Sequence, residues 1–400
     1  MSTQIDALNL EVLELRDDRE PEALVAALAQ LGQTHWLARW SFGYLVTRYD
    51  DVVALLRERR LHQASQLVAG LSGGDQATLS QLRRQSILSA EGETHTRLRR
   101  LVAAPFSPRA IDELRPFMRS YLDELLAHHG ANEVLDLDVV DTFSHYPIAV
   151  ICHHLGVNRA DWSLFSEWAE TTFLVFSSAI KGNEQRVVEH SKAFTRYCLA
   201  LIDERRRHPG GDLLSQLIDV EASGDRLSSD ELVSLVQAII AAGTDTTRNQ
   251  LATMMALVAR EPERWGSLDV ETTVEESLRY LNPIRFVIRR VETAFTYRDV
   301  DFPVGTLVAF NLSGVNRDDA LFDEADVFDP TRDAARQHLS FSSGIHHCLG
   351  ASLARAELQE ALRVTQRHWT SIELREPVAW KSQQLAVWGA SRVALRVQHR

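Results

Sequence analysis

Four short segments hold residues whose types and spacing could do chemistry. The first is Phe341-Ser342-Ser343-Gly344-Ile345-His346-His347-Cys348-Leu349-Gly350, a loop of small residues that delivers Cys348 to the start of an amphipathic helical pattern. A helix N-terminus presents unpaired N–H groups and a partial positive charge, so it favours thiolate over thiol and makes the sulfur a ligand or nucleophile. Three chemistries compete for such a sulfur: a nucleophile activated by His346 or His347, a His/His/Cys zinc site, and an axial thiolate for haem iron. Against all three stands the commoner fate of a cysteine, a small buried hydrophobe. Zinc is disfavoured because adjacent His346 and His347 point in different directions and no second Cys pair stands at ligand spacing. A nucleophile would need a base and an oxyanion hole that the sequence does not advertise.

The second segment, Ala241-Ala242-Gly243-Thr244-Asp245-Thr246-Thr247, sets poor helix formers inside a long apolar helical pattern. Thr246 can bond the carbonyl four residues earlier, that of Ala242, which loosens and bends a helix. Gly243 removes bulk beside that turn, where a small ligand or water could enter; a plain kink or a break between two helices is the alternative. The third, Glu276-Ser277-Leu278-Arg279, places acid and base on one face of a short helix that ends before Asn282-Pro283. Most such pairs are solvated and worth little. The fourth, His95-Thr96-Arg97-Leu98-Arg99-Arg100, sets His95 and Arg99 side by side at i, i+4. Two cations so held suit a carboxylate or phosphate, although a basic surface turn looks the same.

Helices must position these groups. Helical patterns cover 50–60, 95–104, 110–128, 139–155, 160–178, 184–207, 229–260, 271–281 and 350–368, whereas residues 36–48 alternate like a hairpin and 284–311 carry β-branched runs around Phe302-Pro303-Val304-Gly305. Gly and Pro are evenly spread, without linker, repeat or low-complexity segment. The expectation is one domain over 1–400, mainly α with a minor β part near 36–48, 284–311 and 372–398. A helix over 230–260, capped by Ser228 or Ser229, would be about 45 Å long, enough to cross the molecule. Its Leu232, Leu235, Val236, Ile239, Ile240, Leu251, Met254, Met255 and Val258 cover more than one face, as a central buried helix requires.

Composition narrows the partners. The 400 residues are 45% hydrophobic and 24% charged, an ordinary packed protein, and the net charge of −12 repels phosphate backbones and anionic headgroups, so no nucleic-acid partner is expected. Only Lys181, Lys192 and Lys381 are lysines, so a single arginine is weak evidence of a site in so Arg-biased a chain. The most continuous apolar run, residues 235–242, is far short of the roughly 20 that span a bilayer, and the acidic N-terminus is no secretory signal. A cytoplasmic location with no membrane association is expected. Cys152, Cys198 and Cys348 are too few and scattered for a disulfide framework.

Taken together and in this order, the four segments resemble the cytochrome P450 family of haem-thiolate monooxygenases, its soluble bacterial members in particular, over most of the chain. Residues 341–350 are similar to the family's haem-binding loop, 242–247 to the oxygen-activating turn of its central helix, Glu276 with Arg279 to its buried core pair, and Phe328-Asp329-Pro330-Thr331-Arg332 to the segment that completes that pair. The resemblance implies the P450 fold, with haem b between a long central helix and the Cys-ligand loop. It implies Cys348 as the axial thiolate, and His95, Arg99, His346 and Arg289, or its neighbour Arg290, on the haem propionates. Glu276, Arg279 and Arg332 would form a buried structural network. Asp245 and Thr246 would be the acid and alcohol that pass protons during oxygen activation while bulk water is kept away.

Pocket positions by resemblance are Leu88, Ala238, Ala241, Ala242, Ile284, Val287, Val387 and Trp388, all small or apolar, so the substrate should be a predominantly hydrophobic small molecule. No flavin or iron–sulfur segment follows the haem motifs, which implies electrons from NAD(P)H through ferredoxin and ferredoxin reductase or a flavodoxin-type donor. Arg97 and Arg100, turned away from the propionates, would form a basic patch that steers an acidic ferredoxin. Oxidative coupling or desaturation in a biosynthetic pathway is the alternative chemistry, and a non-catalytic haem sensor or carrier the alternative role. Ser342 departs from the family, standing where its loop commonly has Gly, and residues 89–94 lack the usual prolines.

Overall fold

A computed structural model of the chain describes residues 2–13, 20–40, 43–64, 87–127, 133–174, 182–219, 227–381 and 387–400. The chain divides into two compact units. The first comprises Met1–Ser65, Ser267–Cys348 and Trp380–Gly389, and the second Gln66–Gly266, Leu349–Ala379 and Ala390–Arg400.

The first unit is built on a six-stranded sheet in the spatial order Val12–Leu13, Leu37–Trp40, Gly43–Val46, Leu307–Asn311, Phe286–Val291, Leu61–Gln63. The hairpin expected over 36–48 is present, with Leu37 opposite Val46. Gly43–Val46 then runs parallel to Leu307–Asn311, which pairs antiparallel with Phe286–Val291. Period-two alternation sorts the side chains. Val308, Phe310, Leu37 and Val46 join one apolar cluster with Phe295 and Phe302, while Ala309, Ala38 and Leu45 join Leu24 and Leu28 on the other face. Leu24 and Leu28 belong to the helix Pro21–Thr34, which the sequence patterns did not reveal. Its Gly32 is a close-approach residue, since a Cβ there would meet the Thr47 carbonyl oxygen at 2.6 Å.

The second unit is mainly helical around Ser229–Val258. Ser228 caps this helix through a reciprocal capping box, its side chain accepting from the Glu231 N–H while Glu231 accepts from the Ser228 N–H. The helix is buried on nearly every side; Ile239, Ala242, Gly243 and Thr246 are partly exposed at the i, i+3, i+4, i+7 spacing of one stripe. It runs unbroken through residues 241–247, so the helix break considered from sequence does not occur. The expected helix over 139–155 is two, Val139–Thr142 and Tyr146–Leu155, with Pro147 in the first turn of the second. The expected helix over 160–178 is described as Trp162–Leu174, the remainder lying outside the described residues. Of the strands near 372–398, Ala379–Trp380 pairs with Ala390–Arg392, and in the second unit's own three-stranded sheet Ala394–His399 lies between Trp369–Leu374 and the unforeseen strand Val134–Asp138.

Candidate functional site

The loop that carries Cys348 is closed by its own backbone. Ser342 N–H donates to Leu339 O at 2.8 Å and Cys348 N–H to Phe341 O at 2.9 Å, around a single 3₁₀ turn, Gly344–His346. Gly344 adopts φ +73°, and a Cβ there would meet the Leu56 carbonyl oxygen at 2.5 Å, so only glycine seats the loop on the end of the helix Tyr49–Leu56. Ser342 adopts φ +61° with its hydroxyl oxygen buried and unbonded. That left-handed backbone suits glycine and makes serine here strained. His338 braces the foot of the loop: its Nδ1 accepts from Ser340 N–H at 3.1 Å, leaving the proton on Nε2, 3.3 Å from buried Glu275 Oε2.

The three cysteines divide sharply. Cys152 and Cys198 are buried, and burial pushes both thiols up, away from thiolate chemistry. Cys348 is exposed. The zinc reading finds no ligand set, for among the described residues no three His, Cys, Asp or Glu side chains group as a metal site.

Glu276 and Arg279 lie at the heart of the first unit. Arg279 Nε and Nη2 donate to the two Glu276 oxygens at 2.7 Å each, and its remaining N–H groups reach the carbonyls of Asn316 (2.8 Å), Ala325 (2.8 Å) and Val327 (3.1 Å). Glu276 Oε1 also accepts from Asp329 N–H at 2.8 Å and Arg332 Nε at 3.3 Å. Every charge in this network is paired, as burial demands. The same unit separates the two candidate arginines. Arg289 is buried at 3% exposure and donates to Gln63 Oε1 at 2.6 Å, whereas Arg290 points the other way to Glu292 at 2.8 Å. His346 is half-buried, Ile284 and Val287 are partly buried against the core, and Val387 and Trp388 are buried.

In the second unit side chains of the central helix bond back to its own carbonyls. Thr244 donates to Ile240 O at 2.7 Å, Thr246 to Ala242 O at 2.6 Å as its position implied, and Asn249 to Asp245 O at 2.7 Å. Asp245 is ion-paired with Arg248, a partner that the i, i+3 spacing could have disclosed. Gly243 does not open a space for a ligand on its Cβ side, where Ile151 Cδ1 would lie at 2.6 Å; packing against Tyr146–Leu155 requires it. His95 is buried and Arg99 half-buried on the helix Gly92–Ala103. Arg97, expected in a basic patch with Arg100, pairs with Glu231 of the capping box, so its charge is balanced. Leu88 and Ala242 are partly buried, Ala238 and Ala241 buried.

Sequence reasoning missed two carboxyls on the helix Ala351–His368. Glu357 is buried beside Thr247, neither oxygen has an aligned hydrogen-bond donor, and burial pushes its carboxyl well above the usual range, with Thr247 offsetting only part. For Glu360 burial works in the same direction, but bonds from Arg119 and Arg115, with Arg363 nearby, outweigh it and hold the carboxyl below the usual range.

The donor chemistry fits haem b. Exposed Cys348 is the one cysteine suited to ligate iron, and buried His95 and Arg289 carry N–H donors of the kind that satisfy propionates. Comparison with known proteins gives the same direction. The family model described as Cytochrome P450 matches residues 67–265 and 270–376. The chain is 34% identical over 344 residues to mycinamicin IV hydroxylase/epoxidase of Micromonospora griseorubida, covering 84% of each chain. It is 30% identical over 397 residues to 6-deoxyerythronolide B hydroxylase of Saccharopolyspora erythraea, covering 94% of this chain and 93% of that one. Among solved structures, P450BioI in complex with hexadec-9Z-enoic acid ligated acyl carrier protein matches with a TM-score of 0.83 at 27% identity, over 95% of this chain and 99% of that chain.

Proposed function

The chain belongs to the cytochrome P450 family and is a haem-thiolate monooxygenase with haem b as cofactor; from that premise we propose that it hydroxylates or epoxidises a predominantly hydrophobic small molecule. The observation that carries this reading is the exposed Cys348 sulfur in a loop whose backbone bonds and Gly344 fix its course. When bound, haem b supplies the iron at which dioxygen is activated. Cys348 would supply the thiolate that ligates the iron, and Arg289, His346, His95 and Arg99 would donate to the propionates. Glu276, Arg279 and Arg332 serve as support.

Thr246 spends its hydroxyl proton on Ala242 O, so its oxygen offers lone pairs to a neighbouring donor. Asp245, one residue before it and tethered to Arg248, is the acid that takes up and returns protons there. Leu88, Ala238, Ala241, Ala242, Ile284, Val287, Val387 and Trp388 are the side chains we assign to substrate contact, all small or apolar as a hydrophobic molecule requires. Bacterial members take electrons from redox partner proteins; for this chain a ferredoxin with its reductase, or a flavodoxin-type donor, carries them from NAD(P)H. No helix among the described residues is long and apolar enough to cross a membrane.

Absorbance of the reduced protein with carbon monoxide tests the ligand. The wild type, Cys152→Ala and Cys198→Ala should show the red-shifted Soret band of a thiolate-bound haem, and Cys348→Ala should lose it. A band retained in Cys348→Ala overturns the assignment. Reconstitution with a ferredoxin and its reductase should give oxygenated product that collapses in Thr246→Ala, and product formed without any electron-transfer protein would remove the separate donor.

A further inference from the structure

Arg285 and Trp388 are two polar-bearing side chains of the first unit that the cofactor assignment leaves unused. They stand on the segments 283–285 and 387–389, which are tied together by Trp388 N–H to Pro283 O at 2.9 Å, while Arg285 O accepts from Leu312 N–H at 2.9 Å. The Trp388 indole is 2% exposed, lies near-parallel to Trp380 (5.0 Å between centroids, 16°), and carries the Arg285 guanidinium over its ring, 5.3 Å from the centroid. Arg285 is itself 7% exposed. The indole Nε1–H is buried and has no hydrogen-bond acceptor among the described residues. A buried donor left unmade is costly, so an acceptor arriving with a ligand gains a bond that water does not already satisfy.

The chemistry of that acceptor follows from the pair. A guanidinium offers a planar fork of N–H groups and a fixed positive charge, and the indole adds one more neutral donor. A carboxylate accepts from both and carries the opposite charge; an ester or alcohol accepts but brings no charge. Ile284 and Val287, partly buried on either side of Arg285 in sequence, supply apolar surface for the rest of the molecule. Resting on the monooxygenase reading above, we propose that Arg285 and the Trp388 N–H recognise a carboxylate, and that the substrate is an apolar acid held by that end.

The test uses the haem-loaded protein and two matched probe pairs, dodecanoate with methyl dodecanoate and 4-cyclohexylbenzoate with its methyl ester, each titrated by the ligand-induced shift of the Soret band. In the wild type at least one acid should bind about tenfold or more tightly than its ester. Arg285→Met should bring that ratio to about one, and Trp388→Phe, which keeps the ring and removes the N–H, should lower it about threefold. Equal binding of acid and ester in the wild type, or a ratio unchanged in both variants, overturns the proposal. If Arg285→Met fails to fold, Trp388→Phe decides alone. The carbon monoxide spectrum of the same preparations keeps the two readings apart: a missing thiolate band in the wild type sinks the monooxygenase assignment, whereas a normal band with no acid preference sinks only the carboxylate site.

Discussion

Glu276 in the first unit and Glu357 in the second are equally sealed from solvent, at 0% and 1% exposure, and keep very different company. Glu276 accepts from two arginines and a backbone N–H; Glu357 has Thr247 beside it and no aligned donor. Three residues along the same helix, Glu360 draws Arg115, Arg119 and Arg363. Depth alone therefore does not set the charge of a buried acid. The donors within reach decide: without them the group keeps its proton rather than carry an unpaired charge in a poorly polarisable interior.

Arg279→Met would strip Glu276 of its bidentate partner, leaving only Arg332 and the Asp329 N–H, and it carries the largest expected effect. Losing one partner of a fully buried pair costs roughly 3–5 kcal/mol, so thermal unfolding should shift steeply downward or the soluble yield collapse. A variant as stable as the wild type would break the comparison.

Glu357→Gln sharpens the contrast from the other side. An acid raised in the folded state contributes stability that is fully present below its unfolded value, about 4.3, and is lost as pH rises toward its folded value. The variant should therefore gain on the wild type as pH rises above about 5, by at most about 1.4 kcal/mol per pH unit, in melting curves taken over a pH series.

Glu360→Gln should behave with the opposite sign. A lowered carboxyl contributes stability above the unfolded value and loses it as pH falls through the folded one, so the variant should be weaker at pH 7 by about 1 kcal/mol, a figure kept small because Arg119 and Arg363 are over a third exposed, and the deficit should shrink as pH falls through the acid range. Ser342→Gly carries the smallest effect. It removes a left-handed serine together with a buried unbonded hydroxyl and should raise the melting temperature by ~1–2 °C, with the carbon monoxide spectrum unchanged.

What the sequence disclosed and hid follows the range of the forces involved. Glu276 and Arg279 were legible because one helical turn separates them, and the helix Glu184–Arg207 matched its pattern end to end. The bond from Thr246 to Ala242 was legible for the same reason. Glu357 was hidden because a Glu among polar neighbours on an amphipathic helix reads as a solvated face; its burial comes from tertiary packing, with Thr247 and Tyr146 of two other helices beside it. The different settings of Arg289 and Arg290 follow from the alternation of Phe286–Val291, which sends one inward to Gln63 and the other out to Glu292, and no local pattern disclosed it. Val134–Asp138 was missed because its pairing partner lies far along the chain, beyond any local pattern.

That distance has a consequence during synthesis. Arg396 and Asp136, joined by bonds of 2.7 and 2.9 Å across the second unit's sheet, are 260 positions apart. At ~5–20 residues per second the ribosome takes roughly 10–50 s between them. Throughout that interval Val134–Asp138 presents an open edge to the crowded cytosol of any expression host, a template for aggregation that folding of the neighbouring helices does not close. Yield should therefore respond to the tempo of translation and to chaperones that shield nascent chains, more than to conditions applied after the chain is released.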